Sequence, residues 1–199
     1  MASAKFAPRP SPKSAFGARR RLKGFLQAQG GATAVEMAMV ATPFFMLLFG
    51  IIELALIFLV SSSLENATVQ AARTIRTGAF QSGGSATAAA FKTTICNNFQ
   101  WLQSDCNANL YVDVRTYATF ASITAPAPVV AGVFNPGALT CNAGVPGDIV
   151  VVRAYYQWPL IAPLMNSALQ QLNGGKALIT STAAFRNEPY TQAGGAVAC

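Results

Sequence analysis

The stretch Ala38–Val60, AMVATPFFMLLFGIIELALIFLV, decides the architecture: it is an unbroken apolar run with one charged residue, Glu53. As a helix rising about 1.5 Å per residue it is about 35 Å long, enough to cross a hydrocarbon core of about 30 Å. The apolar core of a secretory signal is shorter, about 7–15 residues. A single membrane span is therefore expected. Before it lie Lys5, Arg9, Lys13, Arg19, Arg20, Arg21 and Lys23 with no acid, and the next basic residue after it is Arg73. This asymmetry predicts a cytoplasmic N-terminus and a C-terminal bulk on the other side. From residue 32 onward basic and acidic residues balance, so the net +7 resides in the N-terminal segment. A charge placed against a membrane segment reads as a topology signal, and no nucleic-acid partner is expected.

Outward from the span, residues 1–31 carry Pro8, Pro10 and Pro12 among small residues and read as a basic leader without a core of its own. On the other side the helical pattern continues. Leu64, Thr68, Ala71 and Ile75 recur at helical spacing, Arg73 and Arg76 suit a helix C-terminus, and Gly78 is a natural stop. Residues 32–78 are thus expected to form a transmembrane and stalk helix, with Pro43 as a place to bend. Residues 79–199 form the extracytoplasmic head.

The head reads as α+β. Ser85 is placed to cap a helix running to about Gln103, with Phe91, Ile95, Phe99 and Leu102 on one face. Leu110 to Phe120 alternates apolar and polar residues as a half-buried strand does. Pro126, Pro128, Pro136 and Pro146 mark residues 121–147 as a long loop. Asp148–Trp158 reads as a second strand. Pro159 then opens a helix with Ile161, Leu164, Met165, Ala168, Leu169 and Leu172 in register, ended by Asn173-Gly174-Gly175, and Ala177–Arg186 makes the last strand. The expected product is a long N-terminal helix packed on a small antiparallel sheet with two further helices.

Composition removes several function classes. Hydrophobic residues make up 52% of the 199 residues and charged ones 11%, which excludes a disordered chain. There is no histidine, so triads, zincin sites and His-activated thiols are excluded, and no metal or other cofactor is expected. Cys96, Cys106, Cys141 and Cys199 all fall beyond the span, where an oxidising compartment favours disulfides. Four cysteines allow three connectivities. Cys96 at a helix end and Cys106 in the turn before a strand favour Cys96–Cys106, which leaves Cys141–Cys199. Tyr155, Tyr156 and Trp158 read as core and sheet packing ahead of a binding patch.

The segment GGATAVEMAMVATPFF carries the functional signal. Gly30-Gly31 ends the leader, and small residues at the cytoplasmic edge let a peptidase draw extended backbone into its site. Glu36 lies five residues past Gly31, at the start of the transmembrane and stalk helix; taken alone, it also suits a helix N-terminus, where a carboxylate meets the positive end of the macrodipole. GATAVE resembles the processing motif of type IV prepilins, IIELALIF with QAARTIRTG resembles a pilin-like span and stalk, and AFRNEPY resembles the ending of one branch of that group. Together they resemble the TadE-like pseudopilins (the TadE/TadG-like family) of tight-adherence (Tad/Flp) pilus systems, over most of residues 18–190. Met37 departs from the aromatic common in the major pilins, which fits a pseudopilin better.

The resemblance implies cleavage between Gly31 and Ala32 by an aspartic prepilin peptidase, leaving Ala32 as the mature N-terminus and Glu36 as its fifth residue. It implies that Glu36 neutralises the N-terminal amine of a neighbouring pilin-like subunit, since charges in a low-dielectric place are tolerable when paired. Glu53 is a second intramembrane acid, expected to face protein at an assembly interface, with a protonated side chain snorkelling outward as the alternative. The implied function is non-enzymatic: a minor pseudopilin of the inner membrane that primes or caps the filament. Its implied partners are the peptidase, an Flp pilin, a second pseudopilin, the inner-membrane assembly platform and the lipid bilayer. Two rivals are a major structural pilin, and an uncleaved bitopic envelope protein whose head binds a partner.

Overall fold

The computed structural model describes residues 31–83, 86–162, 166–191 and 199. The basic leader before Gly31, and Ser85, Leu164 and Met165, lie outside the described residues. The chain divides into two compact units, one ending at Leu47 and the other running from Leu48 to Cys199.

Helix α1 spans Ala32–Arg76, and Pro43 is accommodated within it. Proline removes one backbone donor, the one that would reach the carbonyl of Met39; the neighbouring Thr42 hydroxyl donates to the carbonyl of Ala38 (2.8 Å). In the first unit the apolar side chains are uncovered, with Met37, Met39 and Val40 each about two-thirds exposed. In the second unit one stripe of α1 is buried: Gly50, Glu53, Val60, Leu64, Ala67, Thr68, Ala71, Ala72 and Ile75. These positions fall mostly three and four residues apart, the spacing that keeps one helical face against a partner. The helix stops at Gly78, whose φ of +78° favours glycine. The ring of Tyr190 occupies the space that a Cβ there would need.

The partner of that stripe is a three-stranded antiparallel sheet. β1 is Leu110–Tyr117, β4 is Ile149–Pro159 and β5 is Lys176–Arg186, in the order β1-β4-β5. Val112 lies opposite Ala154 and Tyr156 opposite Ile179, so alternate residues share the inner face. That face and the helix form one core, in which Leu64, Ala71, Ile75, Val114, Val150, Val152 and Tyr156 are fully buried. The fold is therefore α+β, a long N-terminal helix with a small antiparallel sheet.

Several elements differ from expectation. The helix expected to reach Gln103 is α3, Ala88–Asn98, capped by Thr87, whose hydroxyl accepts from Ala90 N (3.1 Å). A short 3-10 turn and a further helix, α4 (Gln103–Asn109), follow it, after the brief α2 at Ala79–Ser82. The break has a physical cause. Cys96 and Cys106 are disulfide-bonded with Cα atoms 5.6 Å apart, whereas ten residues of continuous helix would separate them by about 15 Å. Strand β1 ends at Tyr117 and not at Phe120, which lies in a turn capped by Thr119 and Ser122. The loop at 121–147 contains a small hairpin, β2 (Val129–Val130) with β3 (Val133–Phe134), turned by Ala131 and Gly132, both at positive φ. The helix expected from Pro159 is corrected: Pro159 ends β4, α5 is four residues long (Asn166–Leu169), and Leu172 is buried beside Lys176. Among the described residues of that apolar run Ile161 and Ala168 are exposed and only Leu172 is buried, so the helical period there does not correspond to a buried helix face.

Candidate functional site

Two regions carry the polar groups that matter, the start of α1 and the contact between α1 and the head. Gly31 immediately precedes α1, and a Cβ built on it meets nothing within 4 Å. Ala32 is the first residue of α1, and Glu36 stands one turn further on with its side chain exposed. The first turn itself holds no acid. Stabilisation by the macrodipole falls off within that turn, so a helix-end role explains Glu36 poorly.

Glu53 is the most informative residue. It is 2% exposed, and its carboxyl group accepts from three donors of the second unit. Oε1 accepts from the Trp158 indole Nε1 (3.3 Å), and Oε2 from the backbone N–H of Ile161 (3.0 Å) and of Ala162 (3.1 Å). All three donors stand at or just beyond the end of β4. The strand delivers Trp158 because its inner face points at α1, and Pro159, which offers no N–H, turns the chain so that the next amides face the helix. Both oxygens of Glu53 thus have partners within this chain.

The C-terminal end of α1 is held by the segment after β5. Arg76 and Glu188 form an ion pair at 2.8 Å, and Glu188 N donates to the carbonyl of Arg76 (2.9 Å). Asn187, 3% exposed, donates through Nδ2 to the carbonyls of Ala143 and Val145, both at 3.0 Å. Arg186 Nε donates to the carbonyl of Gly147 (2.7 Å). The RNE triplet therefore joins the helix end, the last strand and the long loop.

On the outer face of the sheet, Asp113 is fully buried between Arg115 (2.9 Å) and Arg153 (3.3 Å). It also accepts from Thr140 N (2.9 Å), while Arg153 Nη2 donates to the carbonyl of Thr124 (2.9 Å). Burial demands this pairing, because an isolated charge in the interior costs several kcal/mol, at least ~3. The cluster fastens the long loop over the strands. Phe134 of β3 lies 4.6 Å from the Tyr111 ring and 5.9 Å from Tyr155. Strand β1, expected to be half-buried, is thus covered on both faces at Asp113. Tyr155, Tyr156 and Trp158 are buried; Tyr156 packs edge-on against Phe99 and donates to Asp105 Oδ2 (2.6 Å).

The cysteines pair as Cys96–Cys106 and Cys141–Cys199, the second with Cα atoms 5.0 Å apart. The second bridge is reinforced by Cys199 N donating to the carbonyl of Cys141 and Ala88 N donating to that of Cys199, both at 3.1 Å. A cleft of about 410 Å³ lies over this bridge, lined by Lys92, Tyr111, Pro136, Thr140 and both cysteines among others. Burial pushes the Lys92 ammonium below its ordinary pKa, and it sits 5.5 Å over the Tyr111 ring. With both sulfurs oxidised and no acid lining it, the cleft offers no acid–base pair. Among the described residues no group of three His, Cys, Asp or Glu side chains is arranged to hold a metal ion.

Sequence reasoning picked out Glu53 and missed its partners. The signal for them was present in the one tryptophan at a strand end followed by proline, but nothing in the spacing tied residue 158 to residue 53. It also left Asp113 and Arg153 as ordinary strand residues; their opposite charges at facing register positions emerge only once β1 is paired with β4.

No curated protein and no solved structure matches the chain. Residues 31–73, which take in all but the last three residues of α1, are similar to the family described as TadE-like protein.

Proposed function

We propose that this protein is a minor pseudopilin of a Tad-type pilus. It enters the inner membrane with its N-terminus in the cytoplasm, is cut between Gly31 and Ala32 by a prepilin peptidase, and takes part in priming or capping the filament. The observation that carries the reading is the coincidence of boundaries: the TadE-like segment opens at residue 31, and α1 opens at Ala32. In this reading residues 1–31 are the leader, residues 32–78 the span and stalk, and residues 79–199 the periplasmic head.

The uncovered apolar surface of α1 before Leu48 supports the same reading, since such a helix needs lipid or other apolar helices around it. Glu36 is the acid available there to pair with the N-terminal amine of a neighbouring subunit. Glu53 acts differently: its two oxygens are taken by Trp158, Ile161 and Ala162, so its part in assembly is to hold the head on α1. The remaining partners are an Flp pilin, a second pseudopilin and the assembly platform.

Deletion of the gene tests the role. Loss of surface pili, restored by the wild-type chain, with the protein scarce relative to the main subunit in sheared filaments, is the expected result. A protein that dominates sheared filaments would be the major pilin. Normal piliation in its absence would remove it from assembly.

A further inference from the structure

We infer that the head itself enters the membrane: the segment Leu160–Ala162, beyond β4, lies among the acyl chains of the leaflet on the head's side, beside α1. The argument begins with depth. The bonds from Ile161 N and Ala162 N to Glu53 fix this segment at the level of residue 53. The apolar run of α1 continues for seven further residues to Val60 before Ser61-Ser62-Ser63, a rise of about 10 Å.

Exposure on the rest of the helix says where the water boundary falls. Ile51, Ile52, Leu54, Phe58 and Leu59 are 56%, 45%, 49%, 77% and 49% exposed. A head held wholly in water would carry Leu54, Phe58 and Leu59, which lie beyond Glu53 on the helix, into water with it. A boundary at the serines covers them with lipid, and then Leu160–Ala162 is covered too.

The chemistry of the segment suits that place. In hydrocarbon every backbone donor needs a protein acceptor. Pro159 has no N–H, Leu160 N donates to the carbonyl of Gly175 (2.8 Å), and Ile161 N, Ala162 N and the Trp158 indole all donate to Glu53. No N–H from the indole of residue 158 through Ala162 is left for water. Ile161 is 65% exposed and apolar. Lys176, opposite Pro159, turns its ammonium back along the strand toward Gln157 Oε1 (3.4 Å). In this arrangement Glu53 is the acceptor that makes a loop tolerable in lipid. The inference rests on α1 as a membrane span and not on the pilus role.

The test uses the full-length, disulfide-intact protein in vesicles of phosphatidylethanolamine and phosphatidylglycerol, with a nitroxide placed in turn by Leu47→Cys, Phe58→Cys, Ile161→Cys and Val130→Cys. Collision with oxygen reports lipid, and collision with a water-soluble nickel chelate reports water. The expected result is several-fold higher oxygen than nickel accessibility at 47, 58 and 161, and the reverse at 130. Nickel accessibility at 161 with lipid exposure at 47 overturns the inference while leaving the span intact; water at 47 overturns both. Should labelling at 161 disturb folding, Trp101→Phe leaves Trp158 as the sole tryptophan. Its emission should then be quenched by acyl-brominated lipid and not by acrylamide; quenching by acrylamide, or by neither, contradicts lipid burial of this segment.

Discussion

Replacing Glu53 with alanine strands three donors at once, and the cost can be worked from their surroundings. The Trp158 indole is in a buried contact, and the two amides of Ile161 and Ala162 are partly buried. A buried donor left without an acceptor costs about 1–3 kcal/mol; taking about 2 for the indole and about 1 for each amide gives about 4 kcal/mol. For a cooperative unit of about 150 residues, 1 kcal/mol moves the melting temperature by about 2–4 °C. Glu53→Ala should therefore lower it by roughly 12 °C. Glu53→Gln keeps the shape and one acceptor oxygen but turns an amide donor toward one of the three donors, so about half that loss is expected. Because the indole is one of those donors, the Gln substitution should cost about 1 kcal/mol less in a Trp158→Phe background. The assay is thermal unfolding of the full-length protein in detergent without reductant, followed by near-ultraviolet circular dichroism. Shifts within about 2 °C for both variants, or an equal cost of Glu53→Gln in the two backgrounds, would refute the account of Glu53 as the acceptor that holds the head.

The two disulfides should differ in worth. Cys141–Cys199 closes a separation of 58 residues and Cys96–Cys106 one of 10, so by loop-closure entropy serine replacement of the first pair should cost about 4 kcal/mol and of the second about 3, read as the order of melting temperatures. Asp113→Asn leaves the buried Arg153 without its anion and should cost about 3–5 kcal/mol, with faster amide exchange at Val129–Phe134 as the loop loosens; unchanged exchange there would separate the cluster from the loop. Alkaline pH should also destabilise the head. Burial, with help from the Asp105 carboxylate, raises the Tyr156 phenol above its ordinary 10.0, so its stabilising contribution is complete below that value and is lost as pH climbs toward the raised one. Tyr156→Phe should flatten the fall in melting temperature above about pH 10, and an unchanged slope would assign it to other groups.

What was legible in the sequence follows from which forces act locally. The span, the stalk stripe and the strands β1, β4 and β5 announce themselves because burial on one face imprints a period on neighbouring residues. The proposed processing segment rests on Gly31, Ala32 and Glu36, residues close together in the chain. The short elements were not legible. Helices α4 and α5 and the β2–β3 hairpin are set by closure constraints, such as the Cys96–Cys106 bridge and the seat of Phe134 on Tyr111 and Tyr155, which leave no period. Glu53 shows the same limit at the site. An acid in an apolar run signals a partner, but the partner lies 105 residues away at Trp158, and only the fold joins them.

The central claim, entry into the pilin pathway, is tested most directly by intact-mass and N-terminal peptide analysis of the protein recovered from its native membrane. The account predicts a chain beginning at Ala32, lost when the prepilin peptidase is deleted. It also predicts a retained leader when Gly31 is replaced by a bulky residue, at a position where an added Cβ meets nothing within 4 Å among the described residues. A wild-type chain that keeps the basic leader, or one cut near Ser63 by ordinary signal peptidase, would contradict it.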